Sequence, residues 1–321
     1  CNVFFLISFM AMMKKILVAL AVSISLGFSN DKPQNDTFCR KGVTSLASEK
    51  ILVLLFCQQY APDYVPMLES SYSSPNSWSI TVGGVPTPAN FDANDKNDVI
   101  AEFESIIHES THHKNSRDGI FLGPNKYLLF TDAEKNDVQY FYKSELIADF
   151  LPIDAKEKIF RFKTYIGKGS GVSANLSGIF GLMDEYSAYQ NGCSAALKAY
   201  DNALKENDTT LAITFFKAAL ATYYAYYEFN SFIGAYLKYG KSKEPVIYQK
   251  IMNNSTLRRA YTINTIEFEK AIAIINSQSN RLKSNYKLVK SSLEYYKTKY
   301  EVYAKSCMTS FQPELTNFKL N

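Results

Sequence analysis

From about Leu176 to its end the chain carries helix-compatible patterning almost without a break. Helices in that number must bury their apolar stripes against one another or against a small sheet. Two stretches within this half are distinctive. "FFKAALATYYAYYEFNSFIGAY" (215–236) reads as a tyrosine-rich buried helix, with an aromatic binding surface as the other reading. "RLKSNYKLVKSSLEYYKTKYEVYAKSC" (281–307) sets seven Lys and Arg against Glu294 and Glu301, a net +5 that suits a solvated helix face or contact with an acidic polymer. The whole chain is far less basic: its formal +4 falls to +2 once Lys14 and Lys15 of an N-terminal leader are set aside, which argues against a nucleic-acid partner. With 46% hydrophobic and 21% charged residues, the composition supplies a core for one large domain or two small ones.

The first half mixes strand and helix signals. "MMKKILVALAVSISLGFS" (12–29) has the two lysines, the apolar run from Ile16 to Phe28, and Gly27 and Ser29 at the −3 and −1 positions of a secretory signal peptide. Residues 1–11 then read as upstream read-through, and no later stretch is long and apolar enough to predict a stable membrane span. Export to the periplasm, the cell surface or the medium would let Cys39, Cys57, Cys193 and Cys307 pair, although buried thiols explain them equally well. "KILVLLFCQQY" (50–60) is undecided between helix and strand. In "NSWSITVGGVPTP" (76–88), Trp78, Ile80 and Val82 alternate with Ser79 and Thr81, the pattern of a half-buried strand. "KYLLFTD" (126–132), "VQYFYKSE" (138–145) and "IFRFKTYI" (159–166) have strand composition. The expected class is therefore α+β and mainly helical, with a small sheet before and after one central helix and a helical domain beyond.

That central helix is "NDVIAEFESIIHESTHH" (97–113), opened by Asn/Asp capping residues and striped by Ile100, Phe103, Ile107 and Thr111. All three histidines of the chain lie at its end. His108 and His112 project from one flank a single turn apart, so both imidazoles can reach one tetrahedral Zn²⁺ while Glu109 between them reaches a water on it. His113 points about 100° away from His112 and cannot join them. The competing reading is a polar, solvent-facing helix with adventitious histidines.

The HExxH pattern of His108, Glu109 and His112, with a strand before it, resembles the zincin metallopeptidases. The likeness covers the motif and its immediate context, about a fifth of the chain. It implies a zincin-like core at 49–195, after the leader (1–29) and a polar segment (30–48), and a helical domain at 196–321 closing the other wall of a cleft. It also implies a third zinc ligand. In a metzincin-like arrangement, "HESTHHKNSRD" would turn at Asn115 and present Asp118. In a gluzincin-like arrangement a second helix, "SGIFGLMDEYSAYQNG" (177–192), would supply Glu185, with Gly178 and Gly181 allowing close approach. The second is preferred because its carboxylate sits mid-helix. Thermolysin-type enzymes place an Asp four residues after that Glu, where this chain has Tyr189, so a carboxylate behind the histidines comes from elsewhere or is absent, with Asp184 and Asp118 as candidates.

The implied chemistry is peptide hydrolysis, with zinc polarising the carbonyl and Glu109 as general base. Tyr165, Tyr186 and Tyr189 are candidates for an oxyanion donor, a weak distinction in a chain with 23 tyrosines. The other class of function is a non-enzymatic helical surface or binding protein with a structural or inactive zinc site. Glu109 argues for the enzyme, since a structural site needs no base.

Overall fold

The structure, a computed structural model, describes residues 53–72, 96–123, 126–128, 141–283 and 287–320. The elements run in chain order from helix α1 (53–60) through a 3-10 turn to α2 (Val65–Tyr72) and α3 (Lys96–Asp118). A hairpin of β1 (Ile120–Gly123) and β2 (Lys126–Leu128) follows. After a 3-10 segment (Ser144–Phe150) come three single-turn helices, α4 (Ala155–Lys158), α5 (Phe162–Tyr165) and α6 (Ser173–Leu176). The long helices are α7 (Gly178–Lys205), α8 (Thr209–Thr222), α9 (Ala225–Lys243), α10 (Pro245–Asn253) and α11 (Ser255–Lys283). The chain closes with α12 (Lys287–Tyr296), a π turn (Lys297–Glu301), α13 (Val302–Thr309) and α14 (Gln312–Phe318). The leader, the polar segment 30–48, Cys39 and the stretch 76–88 lie outside the described residues.

Helix α7 is the axis of the fold. Of its 28 residues 20 are buried and none is exposed before Lys198, so that length must be surrounded, while Lys198, Asp201 and Lys205 reach solvent in the last turns. Helices α3, α8, α9 and α11 pack on it, and residues 46–321 form one compact unit through which α7 runs unbroken past residue 195. Helix α8 folds straight back along α7. Asn207 makes that turn with φ 59°, a left-handed conformation Asn tolerates, and the Asp208 carboxylate accepts the Leu211 N–H at 3.0 Å to cap α8. Alanines 195, 196, 199 and 203 on α7 and 212 and 219 on α8 are all buried, which lets these backbones approach.

Helix α3 docks on α7 through the flank that carries Glu104, His108, His112 and Asn115, while Phe103 and Thr111 of its predicted stripe pack towards α1, α2 and α8. Phe103, Ile107 and Thr111 are fully buried, while Ile100 is half-buried. Thr111 satisfies its hydroxyl on the Ile107 carbonyl at 2.8 Å. Close approach depends on Gly192, where a Cβ would lie 2.3 Å from Glu104 Oε1 and 3.0 Å from the Glu104 carbonyl oxygen. The rings of Phe56, Phe103 and Phe215, 5.4–5.7 Å apart, tie α1, α3 and α8 together.

The expected α+β core is corrected by this structure. Among the described residues the only strands are the four and three residues of the β1–β2 hairpin, and helices do the packing around α3. Of "KYLLFTD" only Lys126–Leu128 is described as strand. The described part of "VQYFYKSE" is a loop entering the 3-10 segment. Tyr142 there stacks on Tyr236 at 4.0 Å and donates its backbone N–H to the Tyr236 hydroxyl at 2.9 Å, spending on a side chain the group a strand would pair. "IFRFKTYI" is a turn followed by α5. Its buried residues are Ile159, Arg161, Phe162, Tyr165 and Ile166, not the every-second-residue set of a strand, and the N–H groups of Phe160 and Arg161 are taken by the Glu228 carboxylate. Cys57, Cys193 and Cys307 are buried free thiols.

Candidate metal centre

The last turns of α3 lie against the first turns of α7, and this contact brings three donor residues to one point. Nitrogen and carboxylate oxygen atoms of His108, His112 and Glu185 all fall within 4.8 Å of one another. The two imidazole Nε2 atoms are 3.1 Å apart, and Glu185 Oε2 stands 3.3 Å from that of His112 and 3.6 Å from that of His108. Glu185 Oε2 is buried and makes no well-formed hydrogen bond. Two imidazoles and a carboxylate aimed at one point are the nitrogen and oxygen donors that Zn²⁺ takes in catalytic sites, and an orphaned buried carboxylate oxygen is what such an ion would satisfy. The residues fit the metal.

Around this point the side chains divide by role. Glu109 lies beside the donors, its Oε1 3.9 Å from His108 Nε2. His112 is gripped from behind. Its Nδ1 is 2.8 Å from Asp184 Oδ2, and Asn115 donates through Nδ2 to Asp184 Oδ1 at 2.5 Å. His108 instead packs on the Tyr189 ring, edge-on at 4.3 Å. The Tyr189 and Tyr165 hydroxyls are 3.1 Å apart.

Burial raises the Glu109 carboxyl to about 7, helped by the charges of Glu185 and Asp184 and opposed by His112. Burial lowers the basicity of His108. It opposes charge on His112 as well, but Asp184 and Glu185 overcome it and hold that imidazole well above the ordinary range. Burial would also raise Glu185, yet His112 and His108 keep it well below the usual carboxylate range.

The structure sorts the remaining candidates. Tyr165 and Tyr189 adjoin the donors, whereas Tyr186 points into the core, its hydroxyl 3.3 Å from Thr265 Oγ1 and receiving the Asn230 amide at 3.1 Å. One residue separates Glu185 from Tyr186, a 100° step, while Tyr189 lies a full turn on. Helix α3 stays helical through Asn115 to Asp118, so the turn that an Asp118 ligand requires is not formed, and the Asp118 side chain lies outside the described set. His113 is not among the converging donors. Gly178 does not serve helix approach at α3. It opens α7 at φ 56°, where a Cβ would meet the Tyr142 carbonyl oxygen at 2.2 Å.

Sequence reasoning passed over Arg161 and Glu228. Arg161, 5% exposed, lies with its guanidinium 4.1 Å from the Tyr189 ring centre and 4.8 Å from that of Tyr224, its Nη1 2.6 Å from Glu228 Oε2. A signal for this pair existed: one Arg inside the apolar "IFRF" and one Glu inside "YYAYYEFN" are charges that a buried chain tolerates only together.

Comparison with protein-family models, with curated proteins and with solved structures returned no match.

Proposed function

We propose that this chain is an exported zinc-dependent peptidase of the gluzincin type. The observation that carries the reading is the convergence of His108, His112 and Glu185 with Glu109 alongside but outside the donor set. Structural zinc sites close their coordination with four protein ligands, whereas three donors are brought together among the described residues. Zinc held there supplies Lewis acidity, polarising a carbonyl and making water acidic near neutral pH. Glu109 holds and moves the proton: its carboxyl, raised to about 7, takes a proton from water at Oε1 and returns it to the leaving amine. The Tyr189 ring packs on His108 and its hydroxyl pairs with that of Tyr165, which makes these two hydroxyls the candidates for stabilising a developing oxyanion. Peptide as the substrate class rests on the motif's resemblance, and export rests on the leader at 12–29. No described helix is long and apolar enough to cross a membrane.

Elemental analysis and a mixed-peptide cleavage assay test this together. Purified protein should carry close to one zinc per chain, and His108→Ala should abolish it. Glu109→Gln should keep the zinc and lose hydrolysis by about 10²–10⁴-fold. Protein that neither contains nor takes up zinc, or a Glu109→Gln variant with undiminished turnover, refutes the reading.

A further inference from the structure

The two histidines are supported unequally: His108 has an aromatic ring against it, and His112 has a carboxylate. Asp184 Oδ2 is 2.8 Å from His112 Nδ1, and its other oxygen receives the Asn115 amide at 2.5 Å. Asn115 is 5% exposed and lies three residues after His112 on α3, so histidine, carboxylate and amide close a small ring between α3 and α7. Adjacent acids on α7 thus face different tasks, Glu185 towards the donors and Asp184 towards the back of one of them.

We infer that Asp184, fixed by Asn115, is the positioning residue of the metal centre: it holds the His112 Nδ1–H and so commits the Nε2 lone pair to the metal. The inference rests on the metal-site reading above and deepens it. An imidazole must present one nitrogen without a proton to a metal, and the partner of its other nitrogen decides which. A carboxylate accepting from Nδ1 selects Nε2 and makes it a better donor. The same ring fixes the angle of the imidazole plane, because Asp184 cannot swing away while both of its oxygens are engaged. The Asp184 carboxylate engages His112, whereas His108 faces His112 and Glu185 through Nε2 and packs on Tyr189, so the loss of Asp184 should be felt through His112.

Zinc affinity of the full chain, measured by competition with a chromophoric chelator, tests the inference. Asp184→Asn should bind zinc about 10–100-fold more weakly than wild type. Asn115→Ala, which leaves the His112–Asp184 contact but frees the carboxylate, should lose less. Thermal melts in chelator should show both variants folded like the metal-free wild type, which separates positioning from a general loss of structure. If Asp184→Asn does not fold, Asn115→Ala carries the test. Either variant binding zinc within twofold of wild type overturns its part of the inference.

A wild type that binds no zinc defeats the metal reading instead. The positioning claim then stands or falls on ¹⁵N-histidine spectra of the metal-free protein. At a pH high enough to leave His112 neutral, its proton should sit on Nδ1 in wild type, with the Nε2–H tautomer appearing in Asp184→Asn. Identical spectra refute the claim.

Discussion

Replacing Glu104 with Gln should stabilise this protein at neutral pH and do so in a pH-dependent way. The Glu104 carboxyl is 8% exposed, lodged where Gly192 leaves room on α7, and its Oε1 has no hydrogen-bond partner. Burial raises it to about 8 from 4.5; Arg161 works against this, and the charges of Glu109 and Glu102 add to it. The folded carboxyl therefore keeps its proton while the unfolded chain releases it. Stability tied to the protonated form is complete below pH 4.5 and is lost as the pH rises towards 8, at about 1.4 kcal/mol per pH unit. By pH 7 the loss reaches about 3 kcal/mol. Glutamine keeps the shape and carries no proton to lose. The difference between Glu104→Gln and wild type should grow by that amount between pH 4.5 and 7, or roughly 6–10 °C in Tm. Melts in chelator at half-unit pH steps would measure it, with the slope and not the offset as the readout. A difference that does not change with pH would show that Glu104 ionises freely in the fold and would refute the reasoning.

Glu185→Ala should weaken zinc binding by orders of magnitude and Asp118→Ala should leave it near wild type, as read by the same chelator competition. The opposite ranking would return the third ligand to the end of α3. Glu228→Gln strands the buried Arg161 guanidinium and should cost about 3–5 kcal/mol in urea denaturation, whereas Arg161→Met with Glu228→Leu should recover most of it.

What could be read beforehand follows the range of each interaction. The geometry of His108, Glu109 and His112 is local to one helix, and 3.6 residues per turn is enough to place them. The side of α7 that carries Glu185 also follows from periodicity, which could have preferred Tyr189 over Tyr186. "IFRFKTYI" misled because alternation in four residues resembles a strand, while the groups that bend it into a turn sit on Glu228, 67 and 68 residues away. Gly192 gave no warning either. Its meaning lies in Glu104 on another helix, and Gly178 and Gly181 looked the better candidates for helix approach.

The position of α7 along the chain also sets the moment at which the centre can come into being. Synthesis delivers His108, Glu109 and His112 first, and Glu185 follows 73 residues after His112. Yet up to Leu197 α7 exposes no residue to water, so that length stays unsettled until α8, α9 and α11 have emerged to enclose it. A nascent chain finished only as far as residue 205 owns every donor, the base and Asp184, but lacks the walls that hold them in register. The centre is completed late in biogenesis, by residues that never touch it.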